Sequence, residues 1–132
     1  MRAIVVDPQD RIALVRHHYL PGWYLPGGGV EKGESFEAAI WRELREEIAI
    51  ADGEIERLLG AYHSRRESKD DHILVFAINV DAEAAAAMRA ADPAELEDAA
   101  WFALDDLPAD ASPATIRRIA EYRDAVIGLG TW

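Results

Sequence analysis

Apolar positions in the first seventeen residues fall into two short runs, 3–7 and 12–17, separated by the polar Pro8-Gln9-Asp10-Arg11. This pattern predicts a β-hairpin. The first run begins almost at Met1, so a strand leading into it is expected to be shortened. Pro21-Gly22-Trp23-Tyr24-Leu25-Pro26-Gly27 reads as a loop with a short extended centre that delivers the chain to a glycine turn. From Ser35 the period changes: Ile40, Trp41, Leu44 and Ile48 recur at helical spacing and predict a helix with one buried side. Residues 55–64 and 72–81 read as a second strand pair around a polar loop, 65–71. Residues 82–91 are alanine-rich and fit a short helix or an irregular insert. Residues 99–103 predict another strand, with Asp105-Asp106-Leu107-Pro108 as a turn. Residues 113–127 predict a closing helix, capped by Ser112 and opened by Pro113. No repeat and no linker divides the chain, so residues 1–132 read as one domain.

Composition narrows the range of functions. Fourteen basic against twenty-five acidic residues give a formal charge of −11, which disfavours long nucleic acids and anionic membranes as partners. A small anionic nucleotide is still allowed, because metal ions at an acidic face locally invert the field. The chain has no cysteine, which excludes disulfides, thiolate catalysis and cysteine-based zinc sites. No stretch is apolar and long enough to span a bilayer, and the N-terminus lacks a secretion signal, so the expected location is the cytoplasm.

The predicted helix carries the most specific chemistry. About 100° of rotation per residue gathers Glu43, Glu46 and Glu47 into one sector beside the apolar one. Like charges at these spacings repel unless a cation lies between them. All-oxygen donors of this kind suit Mg²⁺ or Mn²⁺, which keep other positions for water and phosphate oxygens.

Gly28, Glu34, Arg42, Glu43, Leu44, Glu46, Glu47 and Ile50 stand at the spacings of a 23-residue signature, Gly-x5-Glu-x7-Arg-Glu-aliphatic-x-Glu-Glu-x-Gly-aliphatic. The pattern resembles that of the Nudix hydrolases and departs from it at the last glycine, which is Ala49. The resemblance implies an α/β fold, the Nudix α/β/α sandwich with a mixed central sheet and a box helix. It also implies hydrolysis of a nucleoside diphosphate linked to another moiety, or of a nucleoside triphosphate, by water attack at phosphorus with Mg²⁺ or Mn²⁺. In that picture Glu46 and Glu47 are the principal metal ligands, helped by the Gly27 carbonyl. Glu43 binds metal or takes the proton from water, both roles being open. Arg42 belongs with the catalytic group and pairs with Glu34 to support the loop, together with Gly28. A homodimer is compatible with the family, in which many members are dimers. At Ala49 a left-handed cap would cost alanine about 1 kcal/mol, so the helix is expected to run on toward Asp52 and Gly53 or to end without such a cap.

Other readings compete. The run Gly28 to Ser35 approaches the phosphate-loop pattern of nucleotide triphosphatases, but Glu34 stands where that pattern requires lysine. The dinucleotide fingerprint Gly-x-Gly-x-x-Gly is absent. Arg16, His17 and His18 at a strand end either meet substrate phosphates or are simply solvated. Arg65 and Arg66, with His63, form the one concentrated positive patch and either bind phosphate or belong to an ordinary surface loop. Trp23 and Tyr24 are read as packing the sheet in preference to stacking on a base, and Trp101 and Phe102 as core or pocket wall. A further carboxylate to complete the site is sought first among Glu95, Glu97 and Asp98, then among Glu67, Asp70 and Asp71. The alternative function is a Nudix-like domain that binds or senses a nucleotide without cleaving it.

Overall fold

The computed structural model describes residues 1–66 and 68–132; Glu67, one of the candidate acids, lies outside the described residues. Among the described residues the order is β1 (Arg2–Val6), β2 (Arg11–His17), α1 (Phe36–Ile48), β3 (Glu54–Arg66), β4 (Lys69–Asn79), α2 (Ala82–Ala87), β5 (Leu96–Ala103), α3 (Pro113–Arg123) and β6 (Gly128–Thr131). The strands form one mixed sheet in the order β5-β2-β1-β4-β3-β6. The pairs β1/β4 and β3/β6 are parallel, and the others are antiparallel.

Strand alternation builds two cores from the same strands. Ala3, Val5, Ala13 and Val15 point to the face covered by Ile40, Leu44 and Ile48 of α1 and Ala85 of α2. Ile4, Val6, Ile12 and Leu14 point to the opposite face, covered by Ile119 of α3 and by Trp23 and Leu25 of the loop. Each fully buried Leu or Ile contributes roughly 1.5–3 kcal/mol, so both layers are needed. The architecture is an α/β/α sandwich, and Trp23 packs the sheet.

Several elements differ from their sequence-based bounds. The segment 65–71 is mostly strand: Ser64 pairs with Asp71 and Arg65 with Asp70, which carries the β3–β4 ladder nearly to the tip. The closing helix stops at Arg123 and not at Ile127, and Ala125 takes a left-handed conformation with φ 54°. The residues after it turn the chain into β6, which runs parallel to β3 with Gly128 beside Gly60. Neither glycine has room for a Cβ: at Gly60 the Gly128 carbonyl stands in the way, and at Gly128 the Tyr62 side chain does on its way to donate to Glu121.

α1 starts at Ser35, whose hydroxyl accepts the Ala38 N–H at 3.0 Å, satisfying an otherwise orphaned donor. Its other end overturns the expectation for Ala49, which adopts φ 60° and ψ 27° in the left-handed region. Ala49 N–H donates to the Arg45 carbonyl and Ile50 N–H to the Leu44 carbonyl, and Ile50 is fully buried in the first core. Those two bonds and that burial outweigh the steric cost at the alanine.

The sheet forks where the glycine turn arrives. β1 and β2 pair at Val6 and Ile12 and then part around the incoming loop. Tyr24 exchanges both backbone bonds with Val15 at 2.9 Å, Ala3 N–H donates to the Pro26 carbonyl, and Gly28 N–H donates to the Met1 carbonyl. Gly27, at φ 148°, has backbone where a Cβ would stand. The turn is therefore fixed against β1, facing the C-terminal half of α1.

Candidate active site

Three glutamates one helical turn apart meet three different environments. Glu47 is 6% exposed and accepts the Gly27 N–H at 3.1 Å. Burial pushes its carboxyl up to about 7; the Gly27 bond and the Arg2 charge oppose that rise, and the Glu43 and Glu95 charges add to it. Glu43 has a side chain 15% exposed, and its carboxylate fills the space that a Cβ on Gly28 would occupy. Glu46 is 57% exposed at its side chain and faces solvent.

Arg42 organises this face. Its Nε and Nη2 hold both oxygens of Glu34 at 2.7 and 2.9 Å, its Nη1 donates to Glu43 at 2.8 Å and to Glu46 at 3.3 Å, and its Nη2 also reaches the Gly29 carbonyl at 3.0 Å. Glu34 in turn accepts the Glu31 N–H. The Arg42 hydrogen bonds, and then the backbone bond, hold the Glu34 carboxyl down to about 2. A bidentate guanidinium–carboxylate pair is rigid as well as strong, and it pins the loop from Gly29 to Glu34 onto α1.

The expectation of a ready-made acidic triad needs correction. Among the described residues no three His, Cys, Asp or Glu side chains are gathered as a cation cage, because Arg42 draws Glu43 and Glu46 toward itself while Glu47 turns inward. A divalent cation still fits these residues on chemical grounds. Glu47 is a buried carboxylate with one hydrogen bond and no paired cation, a costly state that a hard metal ion relieves. The Gly27 carbonyl lies on the same turn and accepts Arg2 Nη1 at 2.9 Å.

Among the described acids outside the helix, Glu95 is the one whose charge acts on Glu47. It stands just before β5, where its carbonyl accepts the His18 N–H. Glu97 lines a different hollow with Arg16 and Asp110. Asp98 caps the Ala99 N–H, Asp71 caps the His72 N–H, and Asp70 binds His63 at 2.9 Å.

The basic candidates separate in the same way. A cavity of about 480 Å³ is lined by Arg2, His17, Tyr24, Arg65, Arg66 and Arg117, among others. Burial, and then the Arg2 charge, lower the His17 pKa. Arg16, the neighbour of His17, points the other way, pairs with Asp110 at 2.8 Å and lies over Trp23 at 4.6 Å, since successive strand residues face opposite sides. His18 is held by the Pro93 carbonyl. Sequence reasoning passed over Arg2, because a single arginine at a strand start carries no local signal. It also passed over Arg117, whose only hint was its place in the second turn of a helix opening near the sheet.

The model of one protein family, the NUDIX domain, matches residues 1–122. A putative 8-oxo-dGTP diphosphatase of Bacillus subtilis (strain 168) is 28% identical over 121 residues, 92% of this chain and 76% of that protein. An NAD-capped RNA hydrolase NudC of Pseudomonas aeruginosa (strain LESB58) is 32% identical over 107 residues, 80% of this chain and 36% of that protein. The chain thus spans about three quarters of the first relative and about a third of the second. Among solved structures, a MutT NUDIX hydrolase from Burkholderia pseudomallei superimposes with a TM-score of 0.65 at 28% identity, covering 91% of this chain and 96% of that one.

Proposed function

Because the chain belongs to the NUDIX family, we propose that it is a Mg²⁺- or Mn²⁺-dependent pyrophosphohydrolase. Its substrate is a nucleoside diphosphate linked to another moiety, or a nucleoside triphosphate. The observation that carries this reading is the buried, unneutralised Glu47 carboxylate on the Gly27 turn, beside a cavity lined with arginines. Glu47, Glu43, Glu46 and the Gly27 carbonyl would hold the metal, with Glu95 as the further carboxylate. When bound, the ions neutralise phosphate oxygens and lower the pKa of water.

The chain's own residues supply the rest. Gly27 N–H orients Glu47, and the Glu34–Arg42 pair fixes the angle between loop and helix. A carboxylate beside the attacking water, Glu43 or Glu95, accepts its proton. The water oxygen forms the new P–O bond and the bridging P–O bond breaks, leaving two phosphate-ended products. Arg2, His17, Arg65 and Arg66 bind the anionic substrate in the cavity. The 132 residues act as one domain. Among the described residues no helix is long and apolar enough to cross a membrane.

A second reading has one observation behind it: Arg42 already occupies Glu43 and Glu46, as befits a domain that binds a nucleotide without cleaving it. Incubation with Mg²⁺ and a panel of ADP-ribose, dinucleoside polyphosphates and (deoxy)nucleoside triphosphates, followed by product analysis, separates the two. Nucleoside monophosphate together with pyrophosphate or a second phosphate ester is the expected outcome, and binding with no product from any substrate would favour the second reading.

A further inference from the structure

Two arginines reach the glycine turn, and they hold different kinds of partner. Arg42 is held by carboxylates, foremost the Glu34 pair at 2.7 and 2.9 Å. Arg2 forms no ion pair among the described residues. Its side chain donates once, from Nη1 to the Gly27 carbonyl at 2.9 Å, and its other N–H groups meet no protein acceptor among those residues. A carbonyl is a neutral partner. In a chain of formal charge −11, a guanidinium left on one is poorly matched.

The placement of Arg2 is equally particular. Its backbone bridges Gly27, and its side chain shares the α3 face of the sheet with Ile4, two residues along β1. The cavity opens on that face, and Arg2 lines both the cavity and an adjoining hollow. Its charge is felt at both ends of the cleft. After burial and the Gly27 bond it acts on Glu47, and after burial it acts on His17. Arg65, Arg66 and Arg117 line the cavity without bonding the turn, and Arg42 bonds the Gly29 carbonyl without lining the cavity. Among the described residues Arg2 alone does both.

Gly27 is thus gripped on two sides, its N–H by Glu47 at 3.1 Å and its carbonyl by Arg2. A divalent cation on that carbonyl would share one oxygen with a guanidinium of like charge, and the two repel. Arg2 has a better partner within the cavity it lines: an ionised phosphate offers charged oxygens that match the guanidinium fork.

We propose that Arg2 couples the two halves of the cleft, giving up the Gly27 carbonyl to a divalent cation and passing to a phosphate of the substrate. This rests on the reading that the Gly27 turn binds Mg²⁺ or Mn²⁺. Arg2 then opposes the cation when no anion is present and rewards it when one is, so cation and phosphate each raise the affinity for the other.

Calorimetric titration of the full chain tests this without hydrolysis. Mn²⁺ is titrated alone, and adenosine 5′-monophosphate with and without saturating Mn²⁺, into the parent protein, R2Q and R2K, each checked for its melting curve. With the like charge removed, R2Q should bind Mn²⁺ about fivefold more tightly than the parent. With the phosphate ligand removed, Mn²⁺-loaded R2Q should bind the nucleotide about tenfold more weakly. Nucleotide binding without Mn²⁺ should change by less than about twofold, because Arg2 is then held by Gly27. R2K keeps the charge and loses the fork, so its Mn²⁺ affinity should stay near that of the parent while the nucleotide is weakened. This second variant decides the matter should R2Q melt early.

The opposite signs carry the test. An arginine that only props the turn would weaken Mn²⁺ binding on removal, and one that only binds phosphate would leave it unchanged. Either result overturns the proposal. A parent protein that binds Mn²⁺ and hydrolyses nucleotides, with Mn²⁺ affinity the same in R2Q, removes the coupling and leaves the hydrolase reading intact. A parent protein that binds no Mn²⁺ removes both.

Discussion

The two ends of the cleft solve opposite electrostatic problems. At the Gly27 turn, Glu43 and Glu46 share a single cation, Arg42, and Glu47 is buried with only the Gly27 N–H to bind it. Across the sheet, Arg2, Arg65, Arg66 and Arg117 line a cavity in which no Asp or Glu side chain stands among the described residues. Each end is poorly satisfied by itself, and the deficits have opposite signs. On the proposed hydrolase reading, complementary ligands would remove both: hard cations at the acidic end and phosphates at the basic end. Structural ion pairs elsewhere, such as Arg11 with Asp7 at 2.6 Å, close locally and leave nothing over. The contrast shows why charge counting alone says little about the site.

The largest effect expected at the acidic end comes from Glu47→Gln, which keeps the acceptor for Gly27 N–H and removes the charge. Turnover should fall by on the order of 10²–10⁴-fold, the range of a lost general base or electrostatic stabiliser, with an unchanged circular dichroism spectrum. Parent-like turnover would show that the buried acid is not part of the chemistry.

A smaller effect follows from the Glu47 carboxyl itself. Its folded value of about 7 lies above the unfolded value of about 4.3, so between the two the folded protein holds a proton that the unfolded chain has released. Stability of the metal-free protein therefore falls as pH rises through that window, by about 1.4 kcal/mol for each unit separating the two values. Melting temperatures in chelator at pH 5 and pH 8, compared with those of Glu47→Gln, isolate this contribution. Added Mg²⁺ should reverse the trend at pH 8, and a slope identical in parent and variant would contradict the burial argument.

The smallest effect concerns the backbone that closes α1. With Ala49 at φ 60°, Ala49→Gly should stabilise the fold by up to about 1 kcal/mol, read as a higher midpoint in urea. A loss of stability would mean that the Ala49 methyl contributes packing beyond its steric cost.

Much of the sandwich was legible because its signals are local. The runs around Ile4 and Leu14 are continuously apolar, as strands buried on both faces should be, and Ser35 caps α1 as a serine before an apolar-periodic segment should. β6 was not legible, since Gly-Leu-Gly-Thr has no strand signature until Gly128 finds Gly60 beneath the Tyr62 ring. The segment 65–71 is polar and reads as a loop, yet the ladder between β3 and β4 takes in Arg65, Arg66, Lys69, Asp70 and Asp71.

By itself the sequence determined the helix that carries the acids, its cap, and the spacing that lets Arg42 reach Glu34 and Glu43, because all of these follow from helical geometry over a few turns. It could not rank the three glutamates, since equivalent positions on one helix become different only when something packs against them. The fork in the sheet brings Gly27 over Glu47 and leaves Glu46 in water. The same folding draws arginines from β1, β3 and α3, distant along the chain, around one cavity. Burial and convergence are properties of contacts between elements, and those contacts exist only in the tertiary structure.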